Sequence, residues 1–142
     1  MKLTASRDIA KPAPEVFEFL SDATNNPKWQ KGMKRCEWIT SGPVAVGSQY
    51  KQEASFLGRR ISSTFEVLEI DPGRRILIEA IESTFPIRVE RRVEPLTAAT
   101  CRVMAEIEGG PAVPVGMRGL FGWIAQRSVN ADYDRLVTML SD

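Results

Sequence analysis

The sequence predicts an α+β fold in which an antiparallel sheet of about seven strands is covered by one long C-terminal helix. Between residues 35 and 107, apolar and polar side chains alternate in segments separated by turn sequences, which is typical of an antiparallel meander. From about residue 115 to residue 140, apolar side chains recur at helical spacing instead. A sheet with one dry face needs a cover, and this helix can supply it.

The first elements are a short strand at residues 3–9 and a short helix after it. Pro14 fits the first turn of this helix, because a proline there loses no hydrogen bond. The apolar face of the helix consists of Val16, Phe17, Phe19 and Leu20. Asparagine favours turns and the residue before a proline avoids the α region, so residues 25–27 are expected to break the helix.

Six further strands are predicted at residues 36–40, 48–56, 60–70, 75–82, 87–94 and 100–107. The turns between them are Ser41-Gly42-Pro43, Leu57-Gly58-Arg59, Asp71-Pro72-Gly73 and Pro95-Leu96-Thr97. Alternation is clearest in residues 87–94, where Ile87, Val89 and Val93 share one parity and charged side chains take the other. In residues 60–70, Leu68 and Ile70 compete with Phe65 and Val67 for the inner face.

The C-terminal helix spans about 25 residues and would be ~38 Å long, enough to cross a whole sheet. Gly116, Gly119 and Gly122 loosen its start, each at a cost of up to about 1 kcal/mol relative to alanine. Close packing against the sheet is the favoured explanation of these glycines. The alternative is a start that opens as a portal or exposes Leu120, Phe121 and Trp123 to a membrane or a partner.

Composition excludes several classes of function. Nineteen basic and 18 acidic side chains leave a net charge of +1, so no general affinity for nucleic acid follows. The chain has no histidine, which removes histidine relays and most metal chemistry. Cys36 and Cys101 are expected to be reduced and buried. We predict neither a metal nor a cofactor.

The 142 residues fit one domain, residues 1–142. The first ten residues contain Arg7 and Asp8 and no apolar segment typical of a secretory signal. No apolar run approaches the roughly 20 residues that cross a bilayer, so stable membrane insertion is not expected. A cytoplasmic location is the default expectation, and the oligomeric state stays open.

Four phrases of the sequence carry a resemblance to a known superfamily. They are IAKPAPEVFEFLSDATNNPKW at residues 9–29, VGSQY at residues 46–50, EVLEIDPGRRI at residues 66–76 and VEPLTAATCRV at residues 93–103. In their order and spacing they resemble the START-like superfamily, also called the SRPBCC or polyketide cyclase/dehydrase-like family. The resemblance implies the helix-grip fold, in which a curved antiparallel sheet wraps around the long C-terminal helix and encloses an apolar cavity.

The resemblance also implies a role for Trp29. The family commonly places proline-x-tryptophan after the first helix, where the aromatic ring closes one end of the fold, so Trp29 is interpreted as structural. The alternative is a platform on which nucleic-acid bases stack. The basic side chains around it would then be Lys28, Lys31, Lys34 and Arg35.

The implied cavity, combined with strand parity, gives a set of candidate ligand-binding residues. They are Tyr50, Gln52, Phe65, Ile78, Phe85, Ile87, Val89, Arg91, Met117, Phe121 and Ile124. Arg91 stands out because its parity points inward, where a charge needs a partner. Snorkelling to solvent at the rim is the favoured explanation, and anchoring an acidic or carbonyl group of a ligand is the alternative.

The leading hypothesis is a protein that binds or carries a small hydrophobic or amphipathic ligand, such as a lipid, in this cavity. A polyketide cyclase or dehydratase is the first alternative, but the sequence assembles no catalytic constellation. It offers two tyrosines, Tyr50 and Tyr133, and acidic side chains placed on the wet face of the sheet. A protein-interaction module without a ligand is the second alternative.

Overall fold

Residues 1–141, which the computed structural model describes, form a seven-stranded antiparallel sheet and a long C-terminal helix. The strands are β1 (Lys2–Ile9), β2 (Met33–Trp38), β3 (Gln49–Phe56), β4 (Arg59–Asp71), β5 (Arg75–Glu82), β6 (Ile87–Thr97) and β7 (Thr100–Gly109). The helices are α1 (Ala13–Ser21), α2 (Asn26–Trp29) and α3 (Arg118–Leu140), with 3₁₀ turns at Ala23–Asn25 and Val115–Met117. This architecture confirms the predicted fold.

The sheet has the order β1-β7-β6-β5-β4-β3-β2, so consecutive hairpins build β2 to β7 and β1 is added beside the last strand. Register shifts interrupt the β2–β3, β4–β5 and β6–β7 pairs, and such bulges bend a sheet. The shift between Val67 and Glu69 also changes parity along β4. As a result Phe65 and Val67 are buried and Ile70 still packs against the core, so both competing sets contribute.

The predicted helix break at residues 25–27 is wrong. Helix α1 already ends at Ser21, and the Asp22 carboxylate accepts a hydrogen bond from the Thr24 amide at 3.1 Å, which caps the following 3₁₀ turn. Pro27 then lies in the first turn of α2, where a missing N–H group is tolerated. The proline therefore begins a helix, and Trp29 is the last residue of it.

Two strand boundaries also differ from the prediction. Strand β2 occupies Met33–Trp38 rather than residues 36–40. Strand β6 continues through the predicted turn at residues 95–97 and ends at Thr97, with a register shift after Pro95. The bulge accommodates the proline, which has no amide to donate to a ladder. Thr97 and Thr100 close the hairpin with a hydroxyl–hydroxyl hydrogen bond of 2.7 Å.

Helix α3 is attached mainly along β1 and α2. Gln126 Nε2 donates to the Thr4 carbonyl at 2.7 Å, and Arg7 Nε donates to Asp134 Oδ1 at 2.7 Å. Arg135 Nη1 donates to the Trp29 carbonyl at 2.6 Å. None of these contacts involves the first two turns of the helix. No helix formed by residues 1–141 is long and apolar enough to cross a membrane.

The 3₁₀ turn at Val115–Met117 and the first turns of α3 lie on the surface instead. Val115 is 77 % exposed and Trp123 is 60 % exposed. A Cβ atom added at Gly116, Gly119 or Gly122 would have no neighbouring atom within 4 Å outside the local helix backbone. The glycines therefore do not serve close packing, and the explanation favoured from sequence is wrong.

Candidate functional site

The two larger spaces between the sheet and the elements that cover it form the candidate site. The first, which we call the inner cavity, has a volume of about 160 Å³ and lies among β3 to β7, α2 and the middle of α3. The second, which we call the outer pocket, has a volume of about 450 Å³ and lies at the start of α3. It is bordered by the β3–β4 hairpin and by the loops that precede β6 and α3.

Most of the sequence-predicted binding residues line the inner cavity. They are Tyr50, Gln52, Phe65, Ile78, Ile87, Val89 and Arg91, all of which lie on strands β3 to β6. Tyr50 is buried and stacks on Phe65 with ring centroids 5.3 Å apart, while Trp38 packs edge-on against Tyr50 at 5.3 Å. Tyr50 and Phe65 together form an aromatic wall of the cavity.

Three other predicted residues, Phe85, Met117 and Phe121, line the outer pocket. Phe121 packs edge-on against Phe56, with ring centroids 5.6 Å apart, and this contact joins α3 to the β3–β4 hairpin. Ile124 is half-buried and lines neither space. The predicted set is therefore divided between two spaces rather than gathered around one.

Arg91 lies inside the protein and is 8 % exposed. Its Nε atom donates a hydrogen bond to the Tyr133 hydroxyl at 3.2 Å, and its guanidinium carbon lies 5.2 Å from the centre of the Trp29 ring. Trp29 and Tyr133 also pack edge-on, with centroids 4.9 Å apart. The snorkelling explanation is wrong, because the guanidinium is held against two aromatic side chains and does not reach solvent.

The positive charge of Arg91 has no carboxylate partner among residues 1–141, whose ion pairs all involve other cations. The ionisable groups that interact electrostatically with Arg91 are Tyr133, Tyr50 and Cys36. Burial raises the pKa of Tyr50, and it raises the pKa of the Cys36 thiol to about 11. Both groups are therefore neutral at pH 7, and the buried charge is uncompensated.

Three further polar atoms around the inner cavity are buried without a hydrogen-bond partner among the described residues. They are Asn26 Oδ1, Trp29 Nε1 and Gln30 Nε2. Buried polar groups in native proteins nearly always bond to protein, water or a ligand. All three unpaired polar atoms that the described residues bury therefore belong to residues that line this one cavity.

Asp132 also lines the inner cavity, but its carboxylate is already engaged. Asp132 Oδ1 accepts hydrogen bonds from the Lys31 amide at 3.1 Å and from Arg135 Nη1 at 3.0 Å. Burial raises the pKa of Asp132 and outweighs these two interactions, which oppose the rise. No group of three or more potential metal ligands occurs within residues 1–141.

Two of the inner-cavity residues absent from the predicted set, Trp29 and Tyr133, contact Arg91. Trp29 was interpreted as a structural plug, and it is fully buried, so the stacking-platform alternative is wrong. It nevertheless lines the cavity, and its Nε1 atom is buried without a hydrogen-bond partner among the described residues. Tyr133 was placed on the apolar stripe of α3, and its polar hydroxyl in that stripe was the available signal.

Comparison with known proteins gives one family and several similar folds. A family model described as polyketide cyclase / dehydrase and lipid transport matches residues 1–141. No match was found among curated proteins. A protein of known structure from Thermus thermophilus superimposes with a TM-score of 0.83 at 17 % identity, over 99 % of this chain and 97 % of that one.

Two other solved structures have names that describe a class of protein. A START superfamily protein from Mycobacterium smegmatis is 15 % identical, with a TM-score of 0.80 over 98 % of this chain and 96 % of that one. The Zhui aromatase/cyclase from Streptomyces sp. R1128 is 17 % identical, with a TM-score of 0.77 over 99 % of this chain and 93 % of that one. At these identities the similarity establishes the shared fold.

Proposed function

Because this chain belongs to the polyketide cyclase/dehydrase and lipid transport family, we propose that it binds a small hydrophobic or amphipathic molecule between the sheet and α3. The observation that carries the proposal is the pair of spaces along α3. The outer pocket, at about 450 Å³, falls within the roughly 300–1,000 Å³ typical of small-molecule sites. The inner cavity adds a smaller space with polar atoms in its wall.

Binding would be driven by removal of apolar ligand surface from water, at roughly 25 cal/mol per Å². The outer pocket presents apolar side chains for this purpose, among them Phe56, Phe85 and Phe121. Arg91 and Tyr133 lie in the wall of the inner cavity and would orient the polar end of the ligand. A lipid fits this description as well as an aromatic molecule does.

Native mass spectrometry of the purified protein, followed by organic extraction, tests the proposal directly. We expect a co-purified apolar molecule or, failing that, saturable binding of the neutral dye Nile red. Phe121→Ala should weaken dye binding at least several-fold, because Phe121 lines the outer pocket. Trp123→Ala is the matched control, since Trp123 lies two residues further along α3 and lines neither space.

A protein that is empty and takes up no dye would refute ligand binding. It would favour the alternative of an interaction module that works through its surface. Equal losses in the two variants would also count against the outer pocket as the site of binding.

A cyclase or dehydratase is the second candidate, favoured by the hydrogen-bonded pair of Arg91 and Tyr133. A phenol held beside a fixed positive charge can donate a proton to a carbonyl oxygen bound in the cavity. Turnover of an aromatic polyketide intermediate tests this candidate. Tyr133→Phe should abolish turnover and leave binding of the same intermediate intact, whereas an unchanged rate would eliminate Tyr133 as the acid.

A further inference from the structure

We propose that the inner cavity is a subsite for an organic anion, in which Arg91 binds the carboxylate of a single-ring or short-chain acid. This inference rests on the function proposed above and names the chemical class of the ligand's polar end. The inner cavity, not the outer pocket, would then determine which ligands the protein selects.

The position of Arg91 in the sheet leaves it facing the cavity. It lies in the middle of β6, opposite Ile76 of β5 and Ala105 of β7, with the buried Val89 and Val93 on the same face. A side chain surrounded in this way has no short route to solvent. Burying an unpaired charge is costly, so the guanidinium is expected to serve a ligand that brings the opposite charge.

The orientation of the guanidinium suits a carboxylate. Its Nε atom donates a hydrogen bond to the Tyr133 hydroxyl, and its central carbon lies over the Trp29 ring. Neither Nη atom makes a hydrogen bond within residues 1–141. Two parallel N–H groups on a held guanidinium match the two oxygens of a carboxylate, which is the strong bidentate arrangement.

The other polar atoms in the wall also favour an acceptor-rich ligand. Trp29 Nε1 and Gln30 Nε2 are unpaired donors, whereas Asn26 Oδ1 is the single unpaired acceptor in the same wall among the described residues. The nearby carboxylate of Asp132 would repel an anion, but Arg135 and the Lys31 amide bind it. Among the unpaired polar atoms of the described residues that line the cavity, donors thus outnumber acceptors by two to one.

The volume limits the part of the ligand that enters. About 160 Å³ is close to the roughly 150 Å³ of an apolar protein cavity that holds one benzene molecule. A single ring or a chain of a few carbons therefore fits beside Arg91. A longer apolar part would extend toward the outer pocket, whose Phe121 lies eight residues, or about 12 Å, from Val129 of the inner cavity along α3.

Calorimetric titration with benzoate and with benzamide separates charge from shape, because the two molecules are nearly isosteric. We expect the wild-type protein to bind benzoate at least 10-fold more tightly than benzamide. Arg91→Met should abolish this preference, and Arg91→Lys should retain part of it, since lysine keeps the charge without the two-pronged geometry. Arg59→Met, which changes a cation of the outer pocket, is the control and should leave the preference intact.

Equal binding of benzoate and benzamide by the wild-type protein would overturn the proposal even if the variants failed to fold. A benzoate preference that survives Arg91→Met, or that disappears in Arg59→Met, would place the anion elsewhere and also overturn it. Nile red binding is measured in parallel. Nile red binding without a benzoate preference would refute the anion subsite but not the proposed function. Absence of both Nile red binding and a benzoate preference would refute the subsite and the proposed function.

Discussion

Replacement of Gly122 by alanine should stabilise the protein, and the structure sets the size of the effect. Gly122 lies in the second turn of α3, where an added Cβ atom would have open space around it. The substitution therefore removes the entropic cost of a helical glycine without introducing a clash. That cost is about 1 kcal/mol in a helix interior.

The expected shift of the melting temperature follows from the length of the chain. An unfolding entropy of about 2.1 cal/mol/K per residue gives about 0.3 kcal/mol/K for 142 residues. A gain of about 1 kcal/mol then raises the melting temperature by about 3 °C. Urea denaturation followed by far-ultraviolet circular dichroism measures the free-energy change independently, and the m-value should stay constant.

Gly109→Ala is the matched control because it should have the opposite effect. Gly109 has a φ of +109°, and its Cβ atom would collide with the Pro86 carbonyl oxygen. A loss of stability in Gly109→Ala together with a gain in Gly122→Ala would show that glycine is sterically required at position 109 and not at position 122. A Gly122→Ala protein that is less stable than the wild type, at unchanged m-value, would refute the reasoning.

The same variant tests whether the start of α3 opens. A more stable first half of the helix should slow amide hydrogen exchange in residues 116–123. If ligands enter through this end, uptake of Nile red should slow in parallel, while its equilibrium binding changes little. Slower exchange with an unchanged uptake rate would exclude this route of entry.

Two further predictions concern ionisable groups. Burial opposes the lowering of the Glu90 pKa, but hydrogen bonds from Arg75 and Arg92 outweigh it and keep this pKa below the ordinary value of 4.5. The ionised Glu90 therefore stabilises the fold above pH 4.5, and this contribution decreases as the pH falls through its folded pKa. The wild-type protein and Glu90→Gln should therefore converge in stability in acid. Urea denaturation at several pH values measures this convergence. Burial raises the pKa of the Cys36 thiol to about 11, so a thiol reagent at pH 8 should label Cys36 only after unfolding. Rapid labelling of the native protein would show that the surroundings of Cys36 open to solvent.

The sheet and the long helix could be predicted from local sequence, because each depends on periodicity and turn chemistry within a few residues. Strand β6 illustrates this, since its alternation correctly predicts that Val89 and Val93 are buried. Pro27 illustrates the limit. A proline disfavours the helical conformation in the residue before it and fits the first turn of a new helix, and only the packing around Trp29 decides between these outcomes.

The environment of Arg91 could not be predicted in the same way. Parity placed its side chain on the inner face, but its two neighbours are Trp29, 62 residues earlier, and Tyr133, 42 residues later. Their meeting depends on where α2 and α3 cross the sheet, and no local pattern encodes that. The three glycines at the start of the C-terminal helical segment pose a similar problem, since a glycine with open space around it and a glycine in close contact look identical in sequence.

The pairing of β1 with β7 has a consequence for the order of folding. Lys2–Ile9 is synthesised well before its ladder partner Thr100–Gly109, and Thr4 is further held by Gln126. The hairpins from β2 to β7 join neighbours in sequence, so they close short loops, whereas β1 closes a loop of about 90 residues. At a synthesis rate of roughly 5–20 residues per second, several seconds pass between the synthesis of β1 and that of β7. During this time β1 has no ladder partner. Strand β1 therefore pairs last although it precedes the other strands in the chain. We expect its docking to be the slow step of refolding.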